Sequence, residues 1–199
     1  MFRPVLFAAI LTSPLPVFAA PPAVVVDIPP IHSIAARIME GVGTPELLIA
    51  PGASPHDYAL RPSEAQRLEA ADLVIWVGPD LTLWLADPIA TLAPGADVVA
   101  AMEIEGIRLR SMSEDHDHDH GHSHDHGDDD HADGTSEHVA VDDEIHDPHI
   151  WLDPDNAAMI ARAIAGELAA LDAENADAYS ANLEAFEIEL TTLSAEVEM

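Results

Sequence analysis

Apolar residues along this chain fall alternately into short runs and into stripes at helical spacing. Residues 23–28, rich in β-branched side chains and ended by Pro29 and Pro30, predict a buried strand. From Ser33 the apolar positions Ile34, Ile38, Met39 and Val42 recur every three to four residues, with Ser33 as N-cap and Gly41 or Gly43 as the stop. Residues 47–49 read as a second short strand. Ser63, Glu64 and Gln66 form a capping-box pattern for a helix through Ala71, and residues 73–77 are a buried strand closed by Gly78 and Pro79. Residues 81–85 look helical, and residues 97–101 make a fourth strand after the Pro94-Gly95 turn. Strands alternating with helices through short loops predict an α/β fold, a parallel sheet with helices on both faces, because parallel pairing needs crossovers.

The rhythm breaks at residues 111–144. This tract carries His116, His118, His120, His122, His124, His126, His131 and His138 among aspartates, with almost nothing apolar before Val139. Such a composition cannot bury a core, so a disordered loop is expected. Order resumes at Ile145. Asp153 and Pro154 supply an N-cap and a first-turn proline for a helix over residues 155–171, with Met159, Ile160, Ile164 and Leu168 on one face. Residues 173–199 continue as a long helix whose stripe runs Tyr179, Leu183, Phe186, Leu190, Leu193 and Val197.

Composition narrows the chemistry. At 199 residues the chain has room for one packed domain, and it contains no cysteine. Thiolate sites, disulfides and cysteine nucleophiles are thereby excluded, which leaves imidazole and carboxylate as the strong metal ligands. The net charge of −30 comes from 37 acids against 7 basic residues, all arginine. That field disfavours nucleic acid and anionic lipid and concentrates divalent cations. Residues 1–19 read as an export signal: Arg3, an apolar core over residues 5–11, then Val17-Phe18-Ala19 as the cleavage site. A periplasmic protein beginning near Ala20, a monomer not inserted in the membrane, is the expected product.

Two histidines stand out. His56 lies in the polar loop 52–58, with Pro51-Gly52 before it as a type II turn signal and Pro55 stiffening the backbone. A ligand must be held about 2.0–2.1 Å from zinc at a defined angle, and a stiff loop after a strand mounts an imidazole well. His149 has a similar setting in Asp147-Pro148-His149-Ile150-Trp151-Leu152-Asp153-Pro154. Both are expected close together at one edge of the sheet. His32, placed between the first strand and its helix, is either a packing histidine or a neighbour of the site. Asp57 and Asp147 either orient an imidazole or are solvated acids, and Trp151 packs beside His149 or simply in the core.

Gly52-Ala53-Ser54-Pro55-His56-Asp57-Tyr58, Leu60-Arg61-Pro62-Ser63, residues 71–78 and His149-Ile150-Trp151-Leu152-Asp153-Pro154, with a histidine-rich insertion before the last, resemble the ZnuA-type solute-binding proteins of ABC importers, in the group serving zinc, manganese and iron. The resemblance runs through the whole chain after residue 19. It implies the N-terminal α/β lobe of a bilobal protein over residues 20–171, followed by the start of a long interlobe helix over 172–199, with the C-terminal lobe absent. It implies His56 and His149 as metal ligands, and further ligands beyond Met199. Some members carry glutamate directly before the first histidine; here Pro55 stands there, so a fourth ligand would be water or come from the second lobe.

The function implied is periplasmic capture of Zn2+ as transported cargo and delivery to the transmembrane subunit of an ABC permease, without catalysis. Manganese or iron transport by the same fold, and a histidine-rich zinc buffer, are the alternatives. A metal-dependent hydrolase is disfavoured by the lack of a His-Glu-x-x-His motif, a nucleophile elbow or a glycine-rich phosphate loop.

Overall fold

The computed structural model describes residues 20–112 and 146–197. The expected export signal and the histidines from His116 to His138 lie outside the described residues. The sheet is parallel throughout: β1 (Val24–Val26), β2 (Glu46–Leu47), β3 (Leu73–Trp76) and β4 (Asp97–Ala100) lie in the order β2-β1-β3-β4. Pairing continues past β1 and β2, with Leu48 N–H donating to Val26 O (2.8 Å) and Ile49 N–H to Asp27 O (2.9 Å). All of β1 and β3 is buried, as their β-branched runs require.

The winding reverses between β1 and β3. Helix α1 (Pro29–Ile38) carries the chain from β1 out to β2, whereas α2 (Pro62–Glu69) returns it to β3, and α3 (Pro79–Thr82) with α4 (Ala86–Leu92) carry it on to β4. Right-handed crossovers in opposite directions put their helices on opposite faces. Accordingly α2 packs with α4, while α1 packs with α5 (Pro154–Leu171) and α6 (Ala176–Val197). Reversal leaves a crevice over the C-terminal ends of β1 and β3, the position where open α/β sheets hold ligands.

Helix starts are set by proline. Pro29, Pro62, Pro79 and Pro154 each occupy the first helical position, where the missing N–H costs nothing. This corrects the expected start of the first helix: Pro29 and Pro30 end the strand by opening α1, and the Ser33 hydroxyl, inside the helix, donates to Pro29 O (3.0 Å) instead of capping. His32 therefore sits in α1 and not in the connection before it. For α2 the N-cap is Arg61, not Ser63; its N–H donates to the Glu64 carboxylate (2.8 Å), which is buried. Asp153 caps α5 as expected, accepting from Asp155 N–H (2.9 Å). Helix α4, which carries Ile89 into the core, has no clear stripe in seven residues and went unpredicted.

The C-terminal helix is more engaged than its stripe suggests. Tyr179 is fully buried and its hydroxyl donates to Asp172 (2.9 Å), while Leu183, Phe186 and Leu190 pack on the core. Asn182 donates to Ile38 O (2.8 Å) and Glu40 O (2.9 Å), satisfying carbonyls at the end of α1, and Arg37 pairs with Glu189 (2.6 Å). Packing dominates here: each buried apolar side chain, such as Ile31, Ile34 or Ile38 of α1, contributes about 1.5–3 kcal/mol, against about 0–1 for an exposed ion pair. Only the far end of the stripe stays open, with Leu193 53% and Val197 79% exposed.

Asp27, fully buried at the end of β1, accepts from Ile28 N–H (2.7 Å) and Val77 N–H (2.9 Å). Burial pushes its carboxyl from the usual 3.8 up to about 7, against the opposing pull of those backbone donors. The unfolded chain would release this proton near 3.8 and the folded chain only near 7. Between those values the folded state binds more protons, so this group's contribution to stability is full below the interval and falls as pH rises through it. At about 1.4 kcal/mol per pH unit, an Asp27→Asn variant should gain up to about 4 kcal/mol on the parent between pH 4 and pH 8. Paired denaturant titrations across that range check this; a constant difference would contradict it.

Candidate metal site

The His56 loop is built as the sequence indicates and braced by residues that it does not reveal. Ala53 N–H donates to Ala50 O (3.1 Å) and Gly52 has φ +86°, the geometry of a type II turn with Pro51 at its first central position. Past the turn, Trp84 Nε1–H donates to Pro55 O (2.7 Å), fixing the peptide unit that carries His56. The Tyr58 ring lies against Trp84 (centroids 5.6 Å apart, 41° between planes), and the Tyr58 hydroxyl donates to Glu64 Oε1 (2.8 Å). Bonding to Glu64, then burial, raises the Tyr58 phenol above its ordinary range. Glu64 thus serves twice, capping α2 with one oxygen and holding Tyr58 with the other. His56 and Asp57 are exposed.

His149 is held by a carboxylate. Asp147 Oδ1 accepts from His149 N–H (3.0 Å) and from His149 Nδ1 (2.6 Å). The backbone N–H, then the ring contact, hold the Asp147 carboxyl below its usual range. Since a carboxylate only accepts, the Nδ1–H tautomer is selected and the Nε2 lone pair is left for a ligand. Trp151 meets the imidazole edge-on (5.3 Å, 62°). Behind them, buried Asn156 accepts from Arg108 N–H (2.9 Å) and donates to Arg108 O (3.0 Å) and Ile150 O (3.1 Å). Asp147 N–H donates to Arg110 O (2.8 Å), and Ser111 pairs with His146 in an antiparallel bridge. The segments on either side of the histidine-acid tract are thereby tied together beside His149.

A cavity of about 180 Å³ joins the two histidine segments. Ile28 from the start of α1, Ala50 and Pro55 from the His56 loop, Leu81 from α3, and His149 with Trp151 all line it, over the C-terminal ends of the strands. His149 and Asp147 also line a second cavity of about 610 Å³ with Arg108 and Arg110. His56 itself lines neither cavity: its loop reaches the smaller one through Gly52, Ala53 and Pro55. His32 lines neither as well; its Nε2 donates to Pro45 O (3.0 Å), at the opposite end of β2. Among the described residues no group of three or more His, Asp or Glu is gathered to hold a metal ion.

A model of the family described as "ZnuA: Zinc-uptake complex component A periplasmic" matches residues 24–199. The chain belongs to the ZnuA family. ZnuA relatives described as high-affinity zinc uptake system proteins include that of Yersinia pestis, 38% identical over 92% of this chain and 56% of its own length, and that of Paracoccus denitrificans, 38% identical over 99% and 63%. That of Brucella abortus is 40% identical over 87% and 56%. The chain thus spans 56–63% of the length of these ZnuA relatives. The fold is shared with a Mn-bound periplasmic metal binding protein from Candidatus Liberibacter asiaticus (TM-score 0.64, 23% identity, 84% of this chain and 52% of that one). It is shared too with the Zn(II)-bound ZnuA-like domain of Streptococcus pneumoniae AdcA (TM-score 0.63, 18% identity, 87% and 53%).

Two outcomes test the bracing. Nitrogen chemical shifts of the neutral His149 ring should report the Nδ1–H form in the parent and a tautomer mixture in Asp147→Ala; an unchanged ring would show that Asp147 does not select the tautomer. Trp84→Phe keeps a ring against Tyr58 but removes the donor to Pro55 O, and should cost about 1 kcal/mol in denaturant unfolding. No loss would mean that water replaces the indole N–H without cost.

Proposed function

We propose that this chain captures Zn2+ in the periplasm through His56 and His149 and passes it, as cargo, to the membrane subunit of an ABC permease. The observation that carries this is the cavity lined by both Pro55 and His149, where an imidazole held at Nδ1 by a carboxylate, its Nε2 not engaged by Asp147, stands across from a loop braced at the residue before His56. Imidazole nitrogen suits zinc better than it suits manganese, which prefers oxygen. Two histidines fill half of a tetrahedral shell; water or further residues of the whole protein would take the remaining positions. Apolar walls from Ile28 and Leu81 limit water on one side, and the net charge of −30 raises the local concentration of divalent cations. The protein performs no chemistry on its cargo, and the tract histidines collect further zinc weakly because their alternating spacing offers many equivalent pairs.

Zinc titration against a competing chelator tests this. Deleting residues 115–138 should lower the number of ions bound and leave the tightest step within about threefold. His56→Ala or His149→Ala should weaken that step at least about 30-fold, near 2 kcal/mol at 1.4 kcal/mol per decade. A tightest step that vanishes with the tract and survives both alanine variants would make the protein a buffer.

A further inference from the structure

Asp27 has no place in the capture chemistry above, yet it is a fully buried carboxylate at the point where the winding reverses. Four hydrogen bonds converge on this residue. Its N–H donates to Ile75 O (3.1 Å) and its carbonyl accepts from Ile49 N–H (2.9 Å), which places it in the ladders to β3 and to the segment after β2. Its carboxylate accepts from Ile28 N–H (2.7 Å) and Val77 N–H (2.9 Å). Ile49, Ile28 and Val77 are where the chain leaves the sheet for the loops that surround the 180 Å³ cavity.

The bond to Val77 matters most for His56. After Val77 the chain turns at Gly78, whose φ of +138° favours glycine at this position. Buried Thr82 returns its N–H to Gly78 O (3.1 Å), and the next turn carries Trp84, whose indole holds Pro55 O (2.7 Å). A connected path therefore runs from the Asp27 carboxylate through Val77, Gly78 and Thr82 to Trp84 and the peptide unit before His56. A second path runs through Ile28 to the first turn of α1, which forms the cavity wall.

We propose that Asp27 is a positioning residue for cation capture: through its carboxylate bonds to Val77 and Ile28 it fixes the loops that set His56 against His149. This rests on the capture function proposed above. An apolar or hydroxyl side chain at this position would leave at least one of the two backbone donors without its acceptor, buried away from water. An asparagine fills the same space but turns an N–H2 toward one of them.

The test compares Asp27→Asn and Asp27→Ser with Tyr179→Phe, a destabilising change at the α5–α6 end that touches neither cavity. Full-length chains are studied at pH 8, at a temperature where circular dichroism shows all of them folded. Without metal, exchange of the Trp84 indole N–H with solvent should accelerate at least about tenfold in the Asp27 variants and less than about twofold in Tyr179→Phe. With zinc alone as probe, the tightest step in chelator competition should weaken about tenfold in the Asp27 variants only. Trp84 exchange and zinc affinity both within about twofold of the parent would overturn the proposal and reduce Asp27 to a structural residue, as would equal effects in Tyr179→Phe. The metal-free arm decides the positioning even if His149→Ala leaves zinc binding intact, an outcome that would count against the capture site and not against Asp27.

Discussion

The reversal of strand order between β1 and β3 is the constraint from which the rest of the site follows. Crossovers to the left and to the right of that line must lie on opposite faces, which leaves a crevice over the C-terminal ends of the two central strands. Loops from three different crossovers can meet there, and a fourth segment, the Asp147–Leu152 turn before α5, is brought in across them. In the proposed capture site, residues distant in sequence would be carried to one edge by the sheet itself. Each loop is anchored at the sheet, so its tip needs bracing of its own, as Trp84 gives Pro55 and Asp147 gives His149.

Stiffness comes from buried polar groups in specific bonds. Glu64 is 3% exposed, yet each of its oxygens receives a donor, from Arg61 N–H and from Tyr58. Asn156, 1% exposed, bonds Arg108 and Ile150. Left unpaired, either would cost about 1–3 kcal/mol, so each favours the single backbone arrangement that satisfies it. The exposed ion pairs of Arg108 with Asp153 and Asp155 add little to this specificity.

Much of the fold was legible because it rests on local signals. β-branched runs marked the central strands, and glycine and proline marked their ends. The His56 turn was readable at Pro51 and Gly52, since positive φ at the second central residue is a property of glycine itself. Helix starts were misjudged where proline and serine competed: Pro29 opens α1 because an N1 proline is preorganised, and Ser33 four residues later is a weaker signal. What remained hidden depends on contacts distant in sequence. Trp84 reaches Pro55 from another crossover, Asn182 reaches the end of α1 across 144 positions, and His32 turns to Pro45 because α1 packs over β2. No periodicity encodes such pairs. The Asp147–His149 contact is the exception, a two-residue spacing whose orienting role was one of two readings and became geometry in the folded chain.

The central claim is that one ion is shared by two imidazoles set on separate loops of one sheet edge. Anomalous diffraction at the zinc edge, on crystals of the zinc-loaded protein, tests it most directly. Expected is a single strong peak about 2.0–2.1 Å from Nε2 of His149 and from a ring nitrogen of His56, with Asp147 still on Nδ1. Peaks confined to other histidines, or separate ions on His56 and His149, would contradict it.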